Sequence, residues 1–183
     1  MRFKVKINST GEIKYLLPVC NDKRRVEGYK NPDNGDYFEM KDVTIIPQTP
    51  YELFGIECGE GWMKLINPLM AYINEYNAHV PESNQIQISQ IKEKFGGLRF
   101  YVDNSTETLN KMIAKAEDDS YNTCETCGST KNVGLKSGGW LETICLDCLK
   151  KRLEGKDDIV KWRSNQDGKL HEVDKDGIVI PEK

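Results

Sequence analysis

The sequence predicts an α+β fold on three observations: alternating stretches near its start, a helical apolar stripe in its middle, and two C-x-x-C pairs beyond. Arg2-Phe3-Lys4-Val5-Lys6-Ile7 repeats with a period of two, the mark of a half-buried strand. Trp62, Leu65, Ile66, Leu69, Met70, Ile73 and Tyr76 fall on one helical face. Cys124-Glu-Thr-Cys127 and Cys145-Leu-Asp-Cys148 stand seventeen residues apart, inside the range of a four-cysteine zinc site. The expected architecture is a β-rich N-terminal segment over 1–50, an α+β core over 51–153, and a β-hairpin-like tail over 154–183. The core comprises a central helix–hairpin–helix unit and a zinc ribbon at 120–153.

The first strand is followed by turn chemistry at Asn8-Ser9-Thr10-Gly11, and Ile13 to Val19 reads as its hairpin return. Residues 21–36 are polar, carry Lys23-Arg24-Arg25 and the turn Asn31 to Gly35, and read as a solvated loop. Tyr37 to Ile46 is expected as a third strand, with the segment Pro47–Pro50 as a boundary. In the helical stripe Pro68 predicts a kink, or a short turn followed by a longer helix that Asn67 caps. Ile86 and Ile88 open a strand, Gly96-Gly97 turns it, and Leu98, Phe100 and Val102 share the inward face of the return strand. Ile91 is out of phase with Ile88, which predicts a bulge or a break between them. Asn104 or Ser105 is expected to cap a helix carrying Leu109, Met112, Ile113 and Ala116 inward. In the tail, Asp167-Gly168 and Asp176-Gly177 are hairpin signals between Ile159–Arg163, Lys169–Val173 and Ile178–Ile180.

The cysteine spacing has a chemical reason. Two thiolates two residues apart converge on one metal from a tight turn, and a second such pair completes the tetrahedron that Zn²⁺ prefers. Cys124, Cys127, Cys145 and Cys148 would hold one zinc ion with no position left for water, which makes the site structural. A redox dithiol or a pair of disulfides would use the same residues; the spacing favours zinc. Cys20 and Cys58 stand alone.

The formal net charge is −3, and residues 120–153 hold five basic against three acidic side chains. Four thiolates with one Zn²⁺ add −2, so that module is about neutral, whereas a nucleic-acid ribbon would carry a basic patch. Met1-Arg-Phe-Lys-Val-Lys6 lacks the apolar run of a secretory signal. No stretch approaches the roughly 18 apolar residues of a membrane helix. A cytoplasmic setting without membrane attachment is expected, where thiols stay reduced and paired cysteines bind zinc.

Several segments occur together in order. They are Glu57-Cys58-Gly59-Glu60-Gly61-Trp62, then Gln90 to Tyr101 with its Lys94-Phe95-Gly96-Gly97-Leu98-Arg99 centre, then Ala116-Glu117, Cys124-Glu-Thr-Cys127-Gly128, Gly139-Trp140 and Cys145-x-x-Cys148. Over residues 51–150 this resembles a group of small proteins encoded by bacteriophages and prophages. The resemblance implies a bacterial host cytoplasm and an accessory phage gene. Such proteins often bind a host component, including antiviral defence factors. It brings no established activity.

Two stretches are candidate partner-binding surfaces. Glu57 and Trp62 bracket a glycine-rich helix entrance, where Trp62 is equally a first core anchor. Lys92, Lys94, Arg99 and Tyr101 gather cations and an aromatic ring around one hairpin, a surface that can also be ordinary solvated sheet. Enzyme motifs are missing: the histidines are His79 and His171, and no H-E-x-x-H, G-x-S-x-G or phosphate loop occurs. The expected function is a zinc-stabilised protein that binds and modulates a host protein. A nucleic-acid-binding ribbon is the alternative, and an enzyme acting on a nucleotide or nucleic acid is third.

Overall fold

The computed structural model describes residues 2–46 and 48–179. The chain divides into two compact units, Met1–Gly55 and Ile56–Lys183. The division falls five residues beyond the expected Pro47–Pro50 boundary, of which Pro47 lies outside the described residues. Thr49 explains the shift. Its hydroxyl accepts from Glu52 N–H (3.2 Å) while its own N–H donates to Glu52 Oε2 (3.0 Å), a capping box that starts helix α1, Pro50–Phe54.

The first unit is a five-stranded antiparallel sheet. Strands β1 (Phe3–Ile7), β2 (Ile13–Cys20), β3 (Val26–Lys30) and β4 (Tyr37–Glu39) form a meander, and β5 (Val43–Ile45) returns to pair with β1. Val5, Ile7, Leu16, Tyr29 and Val43 form its core. Two expectations fail here. The supposed loop over 21–36 contains β3, whose Tyr29 is buried, and the single strand over 37–46 is broken by a 3₁₀ turn at Met40–Asp42.

The second unit opens with a short strand β6 (Ile56–Glu57) and a 3₁₀ turn, Glu60–Trp62, that leads into α2 (Met63–Asn77). Helix α2 runs through Pro68 as one element, so Asn67 caps nothing. Strands β7 (Gln87–Lys94) and β8 (Gly97–Asp103) pair antiparallel, and β6 joins β7 in parallel. Their register shifts between Ile88 and Gln90, as the phase break at Ile91 predicts. Phe95 and Gly96, rather than Gly96-Gly97, make the turn, both at positive φ. Helix α3 (Glu107–Ser120) packs on β8 and on α2. Its N-cap is Thr106, whose hydroxyl accepts from Leu109 N–H (3.1 Å), not Asn104 or Ser105.

The outer edge of β8 is closed by side chains of α3. Leu98 N–H donates to Ser120 Oγ (2.9 Å) and Phe100 N–H to Glu117 Oε1 (2.9 Å), so backbone donors that a sheet edge would leave open are satisfied. Leu98 and Phe100 are buried, while Val102 on the same face is only half-buried.

The cysteine module continues into the tail. Strands β9 (Val133–Ser137) and β10 (Glu142–Cys145) form a hairpin, and α4 (Leu146–Leu153) follows. Strand β11 (Val160–Ser164) pairs with the free edge of β9, and β12 (Leu170–Val173) with β11. The described part of the tail, residues 154–179, is therefore joined to this module: Trp162 and Val173 share one core with Cys124, Val133, Ile144, Cys145, Leu149 and Leu153. The expected strand Ile178–Ile180 is reduced to a bridge from Ile178 to Val173, with Ile180 outside the described residues. Among the described residues no helix is long and apolar enough to cross a membrane.

Candidate metal centre and binding face

The two C-x-x-C pairs meet because each occupies a tight knuckle. Gly128 N–H returns to Cys124 C=O (2.8 Å) and Cys124 N–H to Ser129 C=O (2.8 Å), closing the first. Cys145 ends β10 and Cys148 lies in the first turn of α4, with Leu146 N–H held by Asn132 C=O (2.9 Å). All four sulfurs lie within 4.8 Å of one another, and Cys127 Sγ is 3.7 Å from Cys145 Sγ. A tetrahedron with metal–sulfur bonds of about 2.3 Å has edges of about 3.8 Å, so the arrangement can hold a metal ion. The same distance is far longer than a disulfide bond of about 2.05 Å, and all six cysteines are free thiols.

The surroundings act unequally on the four thiols, and burial pushes those of Cys145 and Cys148 up. A backbone hydrogen bond from Ser129 pulls the Cys127 thiol below its ordinary range. Arg152 donates to Glu142 and, at 3.3 Å, to Thr126 Oγ1, placing its fixed charge close to the cluster. Cys124 and Cys145 are buried, Cys148 is half-buried and Cys127 is exposed.

The glycine-rich segment before α2 is the socket for the first knuckle. Gly61 N–H donates to Glu125 C=O (2.8 Å), Gly59 N–H to Glu125 Oε1 (2.9 Å), and Trp62 Nε1–H to Thr123 C=O (2.8 Å). A Cβ on Gly61 would stand 2.3 Å from Cys124 O and 2.5 Å from Gly128 N, so only glycine fits against that backbone. Lys64 Nζ also donates to Gly128 C=O. Trp62 is 0% exposed, which removes it from the expected partner-binding surface and makes it the core anchor. Cys58 sits half-buried beside this contact; burial first, then Glu125 and Glu93, push its thiol up to about 12.

The other expected surface residues are brought together. Glu57, Lys92 and Arg99 form one row across β6, β7 and β8. Gln90 Nε2–H donates to Glu57 Oε2 (3.0 Å), and Lys92 Nζ lies 5.9 Å from the Tyr101 ring centroid. Lys94 is exposed near the hairpin tip. Arg99 is half-buried and already engaged, donating to Tyr121 Oη (2.9 Å) and Leu98 C=O (2.6 Å).

Sequence reasoning missed a groove beside this row. Lys92, Glu93, Lys94 and Phe95 on the hairpin face Gly139, Trp140 and Leu141 on the β9–β10 loop, around a space of about 530 Å³. Its signal was present: Phe95 precedes glycine in a tight turn and Trp140 follows a glycine pair, places where large rings are uncommon. Comparison with protein-family models, curated proteins and solved structures finds no match.

Proposed function

We propose that this chain is a zinc-stabilised binding protein, a phage accessory protein that acts on a host protein in the bacterial cytoplasm. The observation that carries the binding role is the cross-strand row Glu57–Lys92–Arg99, with Tyr101 beside it, on a sheet whose outer edge α3 closes. Such a face is held rigid by the core behind it, and Tyr and Arg are enriched where binding energy concentrates. Four thiols lie close enough to share one ion, and zinc is the ion that a four-thiolate set suits best among those available to a cytoplasmic protein. With all four positions taken by sulfur, the ion would hold the knuckles and leave none for substrate. The phage and host parts rest on the resemblance of residues 51–150.

Exposed rings near lysines also suit stacked bases, so single-stranded nucleic acid is the second reading. Elemental analysis of pure protein tests the metal, with one zinc per chain expected. Capture from bacterial lysate, with wild type beside a Lys92→Glu/Tyr101→Ala variant, tests the partner. A host protein retained by the first and lost by the second supports the reading; recovery of nucleic acid with a steep salt dependence replaces it.

A further inference from the structure

Phe95 occupies a position that neither turn chemistry nor burial favours. It is the first residue of a two-residue turn between Lys94 and Gly97, with φ of 55° at Phe95 and 78° at Gly96. Turns of this primed kind favour Asn, Asp or Gly there, because a bulky side chain at positive φ is strained. The ring is 67% exposed, so no core packing offsets that strain. Strain held in a surface residue is a pointer to use rather than to stability.

Across the groove stands Trp140, 76% exposed, on a loop that Gly138 and Gly139 turn with φ of 95° and 119°. The two tips are locked together. Glu93 accepts from Gly96 N–H (2.6 Å) through Oε1 and from Trp140 Nε1–H (2.9 Å) through Oε2. Thr143 Oγ1 donates to Gly96 C=O (2.5 Å) in a buried bond, and Lys136 Nζ donates to Trp140 C=O (3.2 Å). The groove is thus preformed, with Lys94 Nζ 5.4 Å from the Phe95 centroid and Lys92 at its rim.

We propose that this groove seats one large apolar side chain of an acidic peptide segment of the partner protein, between Phe95 and Trp140, with the neighbouring carboxylates meeting Lys92 and Lys94. This occupancy presupposes the protein-binding reading above. Charge complementarity selects the occupant. Two lysines suit one or two carboxylates, whereas Glu93 in the wall opposes a polyanion that needs a track of cations.

Trp62 and Trp162 are buried, so fluorescence open to acrylamide reports Trp140. The probe is a blocked tripeptide with phenylalanine between two aspartates. Its comparators replace the aspartates with lysines or the phenylalanine with glycine, and oligothymidylate is the nucleic-acid arm. The acidic phenylalanine peptide should protect Trp140 saturably, and each peptide comparator should bind at least about ten-fold more weakly. Phe95→Asn should weaken binding by about ten-fold or more. The same variant should melt at an equal or higher temperature, since Asn suits the turn. Lys92→Glu/Lys94→Glu should lose the preference for aspartates over lysines. Absence of saturable protection, undiminished binding by Phe95→Asn, or tighter binding of oligothymidylate overturns the proposal. A host protein captured equally by wild type and Phe95→Asn overturns the groove while leaving the protein-binding reading standing.

Discussion

At Gly61 one hydrogen atom separates a fitted contact from a collision. Gly61→Ala would press a methyl group into the backbone of the first knuckle, where atoms cannot swing away as a side-chain tip would. The expected loss is about 1–3 kcal/mol, with weaker metal retention under chelator competition. Trp62→Phe keeps the ring in the core but leaves Thr123 C=O without its indole donor, and should cost about 1–3 kcal/mol in denaturant unfolding. Cys58 supplies a pH signature. Its folded thiol, raised to about 12 from an ordinary value of 9.0, holds its proton more tightly than in the unfolded chain. The stability it contributes is present below about pH 9 and is lost as pH rises towards about 12. Cys58→Ala should therefore lose stability less steeply over that window. At neutral pH Cys58 should also alkylate more slowly than the exposed Cys20, because the thiolate is the reactive form.

At the scale of elements, legibility followed locality. The period-two stretch of β1, the apolar stripe of α2 and the phase break in β7 all lie within a few residues of one another, and the structure has each. Strand β3 escaped notice because it is five residues long, lies between polar turns and buries chiefly Tyr29 beside Gly28. The cap of α3 was ambiguous because Asn104, Ser105 and Thr106 all carry suitable oxygens; tertiary placement, with Tyr72 Oη 2.9 Å from Thr106 Oγ1, goes with the third. The four cysteines were legible from spacing alone, but the socket formed by residues 59–62 was not, since its contacts lie more than sixty residues downstream. The same non-local logic governs the β8–α3 seam. Phe100→Ala should destabilise the second unit by about 3–5 kcal/mol, as loss of a buried ring does. Glu117→Ala should cost about 1–3 kcal/mol by stranding Phe100 N–H, with faster amide exchange at that residue as the check.

Across the whole chain the metal centre reaches further than its ligands. Cys124 and Cys145 belong to the core that also contains Trp162 and Val173, and the first knuckle contacts Gly59, Gly61, Trp62 and Lys64. Structural zinc is worth on the order of 10–16 kcal/mol in small peptides. If the ion is zinc, as proposed, chelation should therefore cost exchange protection not only in β9, β10 and α4 but also in β11 and β12, and Cys145→Ser should melt lower with the metal lost. Unchanged protection in β11 and β12 after metal removal would show that their pairing stands without the knuckles. The order of strands adds a consequence in time. During synthesis all four ligands appear before β11, which must then insert beside β9, and Ser164 follows Cys148 by 16 residues. At about 5–20 residues per second, the newborn chain would carry a finished set of metal ligands beside an open strand edge for about one to three seconds. Were metal scarce in that interval, the edge would stand open with the knuckles still loose, so metal present during synthesis would shorten the exposure of a surface prone to aggregation.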